Sequence, residues 1–152
     1  QEFNLFSKYH ERMFESSLKM FIQSPILGHG PKTFRVLCSD VKYYVEGGSC
    51  SSHPHNTYMQ LLAETGFLGF IIIVGVFAYI LFIFLKQFYY LYITRENHIL
   101  SDYSVCLMIS VFINLWPLVP TLNFFNNWIS ILYFFPIGFL LMSTKKLSNQ
   151  VS

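Results

Sequence analysis

Between Cys50 and Gly66 the chain reads CSSHPHNTYMQLLAETG, with two histidines on either side of a proline. Imidazole is the side chain best suited to moving protons near neutral pH. In extended backbone, positions i and i+2 point the same way, so His53 and His55 are expected to line one pocket. Pro54 keeps the backbone before it out of helix. The same spacing also suits two solvated loop histidines. Cys38 and Cys50 lie in the same polar stretch and leave three arrangements open: a disulfide, two free thiols, or a four-ligand zinc set with His53 and His55. The C-x2-C and H-x3-5-H spacings of common zinc folds are absent, and an oxidising compartment favours the disulfide. Lys32 and Arg35 follow the turn-like PILGHGP. Arginine grips phosphate through two parallel hydrogen bonds, and a glycine turn brings backbone N–H groups close to it; two solvated loop cations are the alternative. Glu64 stands at the mouth of an apolar run, where a carboxylate needs a partner, Arg35 being the expected one.

These residues sit among elements that composition defines. The chain has 152 residues, of which 53% are hydrophobic and only 12% charged, against about 25% charged in soluble domains. A net charge of +2 gives no basic surface for nucleic acid. Gly66 to Leu85 contains no Asp, Glu, Lys, Arg or His, and neither does Tyr103 to Thr144. A bilayer core needs about 20 apolar helical residues. The first run fits one span, and the second fits two, divided by PLVPTLNFFNN at Pro117 to Asn127. Transmembrane helices are therefore expected at 65–91, 101–119 and 125–143. A very apolar soluble bundle is the alternative, but its helices would show a polar face.

Upstream, residues 9–23 have the spacing of an amphipathic helix, with Met13, Phe14, Leu18, Phe21 and Ile22 as its apolar positions. Pro25, Gly28 and Gly30 end it. Residues 24–57 read as an outer, periplasmic loop, and Asn56 or Thr57 as the cap of the next helix. Lys86 and Arg95 follow the first span, and Lys145 and Lys146 the last. The positive-inside rule places those ends in the cytoplasm and the histidine loop outside. The chain starts at Gln and shows no signal peptide. We read it as the C-terminal part of a larger all-α integral membrane protein, packed against earlier membrane helices.

The pattern P-x-x-G-x-G, a polar loop, and then H-N-x-x-L-x-x-x-x-E-x-G-x-x-G leading into an apolar helix resembles the O-antigen ligase and O-antigen polymerase family of bacterial inner-membrane proteins. The positions here are Pro25, Gly28, Gly30, His55, Asn56, Met59 (in place of leucine), Glu64, Gly66 and Gly69. NFFNNWISILYFFPIGFLL resembles the last hairpin and helix of such proteins. The resemblance implies an inverting, metal-independent glycosyltransferase of GT-C type with no cofactor. Its donor would be a glycan on undecaprenyl pyrophosphate. Its acceptor would be a sugar hydroxyl, on lipid A-core for a ligase or on another lipid-linked repeat for a polymerase. In that reading His55, with His53 in support, is the base that activates the acceptor. Arg35, Lys32, Asn56 and Glu64 attend the substrates, and Arg12 stands near the place of a family arginine. A transporter fragment and a non-catalytic membrane scaffold of polysaccharide export are the rival readings. The first would want more polar sites inside the spans, and the second would not need His-Pro-His-Asn at the water interface.

Overall fold

The computed structural model describes residues 6–94 and 100–151, without the side chains of residues 94 and 143–151. Arg95 and the side chains of Lys145 and Lys146 therefore lie outside the described residues. Every regular element among them is helical. In chain order these are α1 (Lys8–Gln23), a single turn α2 (Phe34–Leu37), α3 (Thr57–Tyr89) continuing as a π turn (Tyr90–Thr94), α4 (Asp102–Asn114) and α5 (Asn127–Val151). The chain divides into two compact units. One comprises residues 1–73 with 117–129, the other 74–116 with 130–152.

In the first unit, α1 starts at Ser7, whose hydroxyl accepts from the His10 N–H, a favoured cap. Its buried face is Met13, Ser16, Ser17 and Met20, while Leu18 and Ile22 face outward. The apolar stripe read from the sequence is thus only partly the packed one. The two serines are small enough to let the helix approach its neighbours, and Ser17 returns its hydroxyl to the Met13 carbonyl at 2.9 Å. Met13, Met20, Phe34, Cys38, Tyr43 and Ala63 form the core.

The turn after α1 locks onto α3 backbone to backbone. His29 N–H donates to the Ala63 carbonyl at 3.2 Å and Gly30 N–H to the Glu64 carbonyl at 2.8 Å. In return, Phe67 N–H donates to Pro25 and Leu68 N–H to Ile26. Such contact leaves no room for side chains. A Cβ on Gly28 would lie 2.4 Å from the Glu64 carbonyl carbon, and one on Gly66 would lie 2.5 Å from that of Ile26. Both glycines have positive φ, +66° and +63°, a region costly for other residues. Gly66 also breaks the helical geometry, so α3 is two helices joined at a kink. The two glycine motifs, far apart in sequence, are two sides of one joint.

In the second unit, the α3 residues Phe77 and Phe84 pack on Phe112 of α4 at 5.2 and 5.4 Å. Ile80, Met108, Val111, Leu115 and Tyr133 are buried. Of the three expected spans, the helical stretch Thr57–Ile93 alone is long and apolar enough to cross a membrane among the described residues. α4 has 13 residues, or about 20 Å of helix against a hydrocarbon core of about 30 Å. It stops at Asn114 because Pro117 lacks a donor and disfavours helix before it, so residues 115–119 leave the expected helix. α5 starts at Asn127 and runs 25 residues to Val151; Asn127–Met142 is its apolar part among the described residues.

Candidate functional site

The histidines sit where the loop enters α3. Asn56 caps that helix, its side-chain oxygen accepting from Tyr58 N–H at 3.0 Å and Met59 N–H at 3.2 Å. Its amide donates to the Pro117 carbonyl at 2.8 Å, which ties the cap to the 117–127 hairpin. His55, immediately before the cap, has φ +54°, a conformation uncommon outside glycine. Its backbone is pinned there by Thr121, whose N–H donates to the His55 carbonyl at 3.0 Å. Thr121 is also held through its own carbonyl, which accepts from His53 Nε2 at 3.1 Å, and through its hydroxyl, which accepts from Thr57 at 2.9 Å.

The two imidazoles lie together, ring centroids 4.2 Å apart, yet their environments differ. His53 is buried, 5% exposed. A carbonyl only accepts, so its Nε2 carries the proton, and its Nδ1 accepts from the Ser52 hydroxyl at 2.8 Å. Both ring nitrogens are occupied. Burial lowers its pKa below the ordinary histidine range, the Thr121 bond acting the other way. His55 is half-exposed. One ring nitrogen, Nε2, meets the Ser51 hydroxyl at 3.2 Å, and Nδ1 has no hydrogen-bond partner among the described residues. Its pKa is also lowered, first by burial and then by repulsion from His53 and His10. His55 is therefore a neutral imidazole near pH 7, reachable from solvent and able to accept a proton.

The other residues singled out from the sequence are placed as follows. Cys38 and Cys50 are bonded to each other, Cα atoms 5.2 Å apart, closing the loop that ends three residues before His53. The sulfurs are thus not free for the zinc alternative. Glu64 is fully buried and does not pair with Arg35. Its carboxylate accepts from the Phe34 N–H, starting α2, and from Gln60 Nε2, each at 2.9 Å. A backbone amide and a side-chain amide meet its need for partners. Lys32 and Arg35 are exposed beside α2 and have no ion pair or hydrogen bond among the described residues. Arg12 is held by the Gly47 carbonyl, its guanidinium lying where a Gly47 side chain would be.

Three parts of the arrangement escaped sequence reasoning. His10 reaches from α1 to the His55 ring, centroids 5.7 Å apart. Gln60 is fully buried and donates to both Glu64 and Asn123 while accepting from Phe124 N–H. Thr121 and Asn123 bring the hairpin onto the site. One signal was present: Asn56, Gln60 and Glu64 recur every four residues, a polar stripe along a helix that is otherwise becoming apolar.

The region that holds the turn, the disulfide, the histidines and the kink coincides with a known family. Residues 7–74 match the family model described as O-antigen ligase. No curated protein and no solved structure matches the chain. Residues 7–74 of this chain are thus similar to the O-antigen ligase family, whose members are membrane-associated and act in polysaccharide assembly.

Proposed function

We propose that this chain carries the acceptor-activating part of a glycosyltransferase that moves a glycan from undecaprenyl pyrophosphate to a sugar hydroxyl. The reaction would take place at the outer face of a bacterial inner membrane, with the 24–57 loop periplasmic and three membrane spans. The observation that carries the reading is the contrast between the two histidines. His53 is saturated with hydrogen bonds and structural, while His55 is neutral, half-exposed and has a ring nitrogen to spare. A sugar hydroxyl is a poor nucleophile until a base draws off its proton. In the proposed step, His55 takes that proton as the hydroxyl oxygen bonds to the anomeric carbon. The bond from that carbon to the pyrophosphate oxygen breaks, and the lipid pyrophosphate leaves with the electron pair. Exposed Lys32 and Arg35 offer positive charge to that leaving group. Asn56 and Glu64 hold the frame: one starts α3 and the other joins α3 to α2.

The test is reconstitution of the full-length protein in lipid vesicles with a lipid-linked oligosaccharide, with products separated by mass. Elongated lipid-linked glycan would identify a polymerase, and glycan on added lipid A-core a ligase. Intact donor in both mixtures, from folded protein, would refute the proposal.

A further inference from the structure

The His55 environment contains one group that the reading above does not use. His10 lies in the first turn of α1, and its ring meets the His55 ring edge-on, planes at 87°. Its own position is fixed: Ser7, the cap of α1, contacts His10 Nδ1 at 2.8 Å and accepts from the His10 N–H. The ring is held again by Phe14, one turn on, at 6.4 Å. α1 is itself tied to the loop at two points close by: the Tyr9 hydroxyl donates to the Cys50 carbonyl at 3.3 Å, and Arg12 donates to the Gly47 carbonyl. An imidazole edge is relatively positive and an imidazole face relatively negative, so edge-to-face packing is favourable and directional.

We propose that His10 is a positioning residue for the His55 base, its ring packed from α1 against the His55 imidazole so that two separate elements fix the ring that takes the proton. The proposal rests on the reading of His55 as the base. It makes α1 part of the site. His53 fixes His55 from the loop side and His10 from the helix side. Repulsion from His10 is one of the causes that lower the His55 pKa. Of the ionisable groups nearby among the described residues, only His53 and His10 act on the charge of His55; on α1, Lys8 is exposed and Lys19 pairs with Glu15 at 3.1 Å. The Tyr9 hydroxyl is engaged at Cys50 and Arg12 at Gly47, Glu11 is exposed, and the 117–127 hairpin contains no ionisable residue.

The test uses full-length protein in nanodiscs with isotope-labelled histidine, comparing His10→Ala and His10→Phe with the parent. Two quantities are read: the His55 titration midpoint by NMR, and the pH profile of glycan transfer. Two charges about 6 Å apart in a water-like dielectric shift a midpoint by about half a pH unit. Both variants should therefore raise the His55 midpoint by about that much and move the acid limb of transfer to higher pH with it. His10→Ala should also lower the plateau rate about tenfold, as a loosened base requires. His10→Phe, which keeps a ring edge, should recover part of that plateau but none of the limb. A His55 midpoint unmoved in both variants would overturn the proposal whether or not the enzyme is active. So would full recovery of both plateau and limb by His10→Phe, which would leave His10 as packing alone. If the midpoint moves but His55→Ala still transfers glycan, the base reading fails, and the role of His10 as a positioner of that base fails with it.

Discussion

The joint between the 25–30 turn and α3 predicts that Gly66→Ala is among the most damaging single-methyl additions in this chain. At φ +63° an alanine sits in the left-handed region, which costs about 1–2 kcal/mol. Its Cβ would stand 2.5 Å from the Ile26 carbonyl carbon and oxygen and 2.7 Å from Gly28 N. These are backbone atoms and cannot rotate away. Relief requires the turn to lift off the helix, breaking the Phe67–Pro25 bond of 2.7 Å and the Leu68–Ile26 bond of 3.3 Å, each worth about 1 kcal/mol. The expected loss is about 3–4 kcal/mol locally. Hydrogen exchange resolves it: the amides of His29, Gly30, Phe67 and Leu68 should exchange about two to three orders of magnitude faster than in the parent. Gly75→Ala is the control, because a Cβ there meets nothing within 4 Å. It should be neutral or stabilising by up to about 1 kcal/mol. Unchanged protection in Gly66→Ala, or equal damage in Gly75→Ala, would refute the account of the joint.

The disulfide should be recovered as a crosslinked Cys38–Cys50 peptide from protein mapped without reduction, and Cys38→Ser should lower stability by about 3 kcal/mol; quantitative alkylation of both thiols in unreduced protein would contradict this. Stability should fall as the pH drops below about 6.5. His53 and His55 have lowered pKa values in the fold, so the unfolded chain binds protons first, and the contribution is complete above its ordinary pKa and declines toward the folded midpoints. A thermal midpoint flat between pH 7 and 5 would count against neutral, buried imidazoles. For topology, Val41→Cys in a Cys106→Ser background offers an exposed thiol in the loop. It should react with a membrane-impermeant reagent from the outer side of the inner membrane; reaction from the cytoplasmic side alone would reverse the orientation.

The pairing of His53 with His55 was legible from their spacing, though not for the whole reason. The i, i+2 rule assumes extended backbone, whereas His55 has positive φ and is held by Thr121, 66 residues later. The closeness of Cys38 and Cys50 and the cap at Asn56 follow from local chemistry that a sequence displays. One partner of Glu64, Gln60, stands at i−4 and was open to reading; the other was not legible because it is the Phe34 main-chain N–H, which every residue but proline carries and which leaves no trace in residue type. His10 was passed over for a similar reason. One histidine in an amphipathic helix looks like any other until the fold brings α1 against the loop. The second and third helices were read at 101–119 and 125–143, with Pro117 to Asn127 dividing them; the structure ends α4 at Asn114 and starts α5 at Asn127, bounds that composition alone does not set. Asn123 and Asn126, both in the stretch read as the dividing turn, turn their side-chain oxygens onto the Phe125 and Trp128 N–H groups.

The central claim is that His55 removes the acceptor proton. The most direct test is the single-turnover rate of glycan transfer by full-length His55→Ala, purified and reconstituted at the same level as the parent, with donor binding measured in parallel. The account predicts a fall of about 10²–10⁴-fold in rate with donor binding retained. Transfer at a near-parental rate would contradict it.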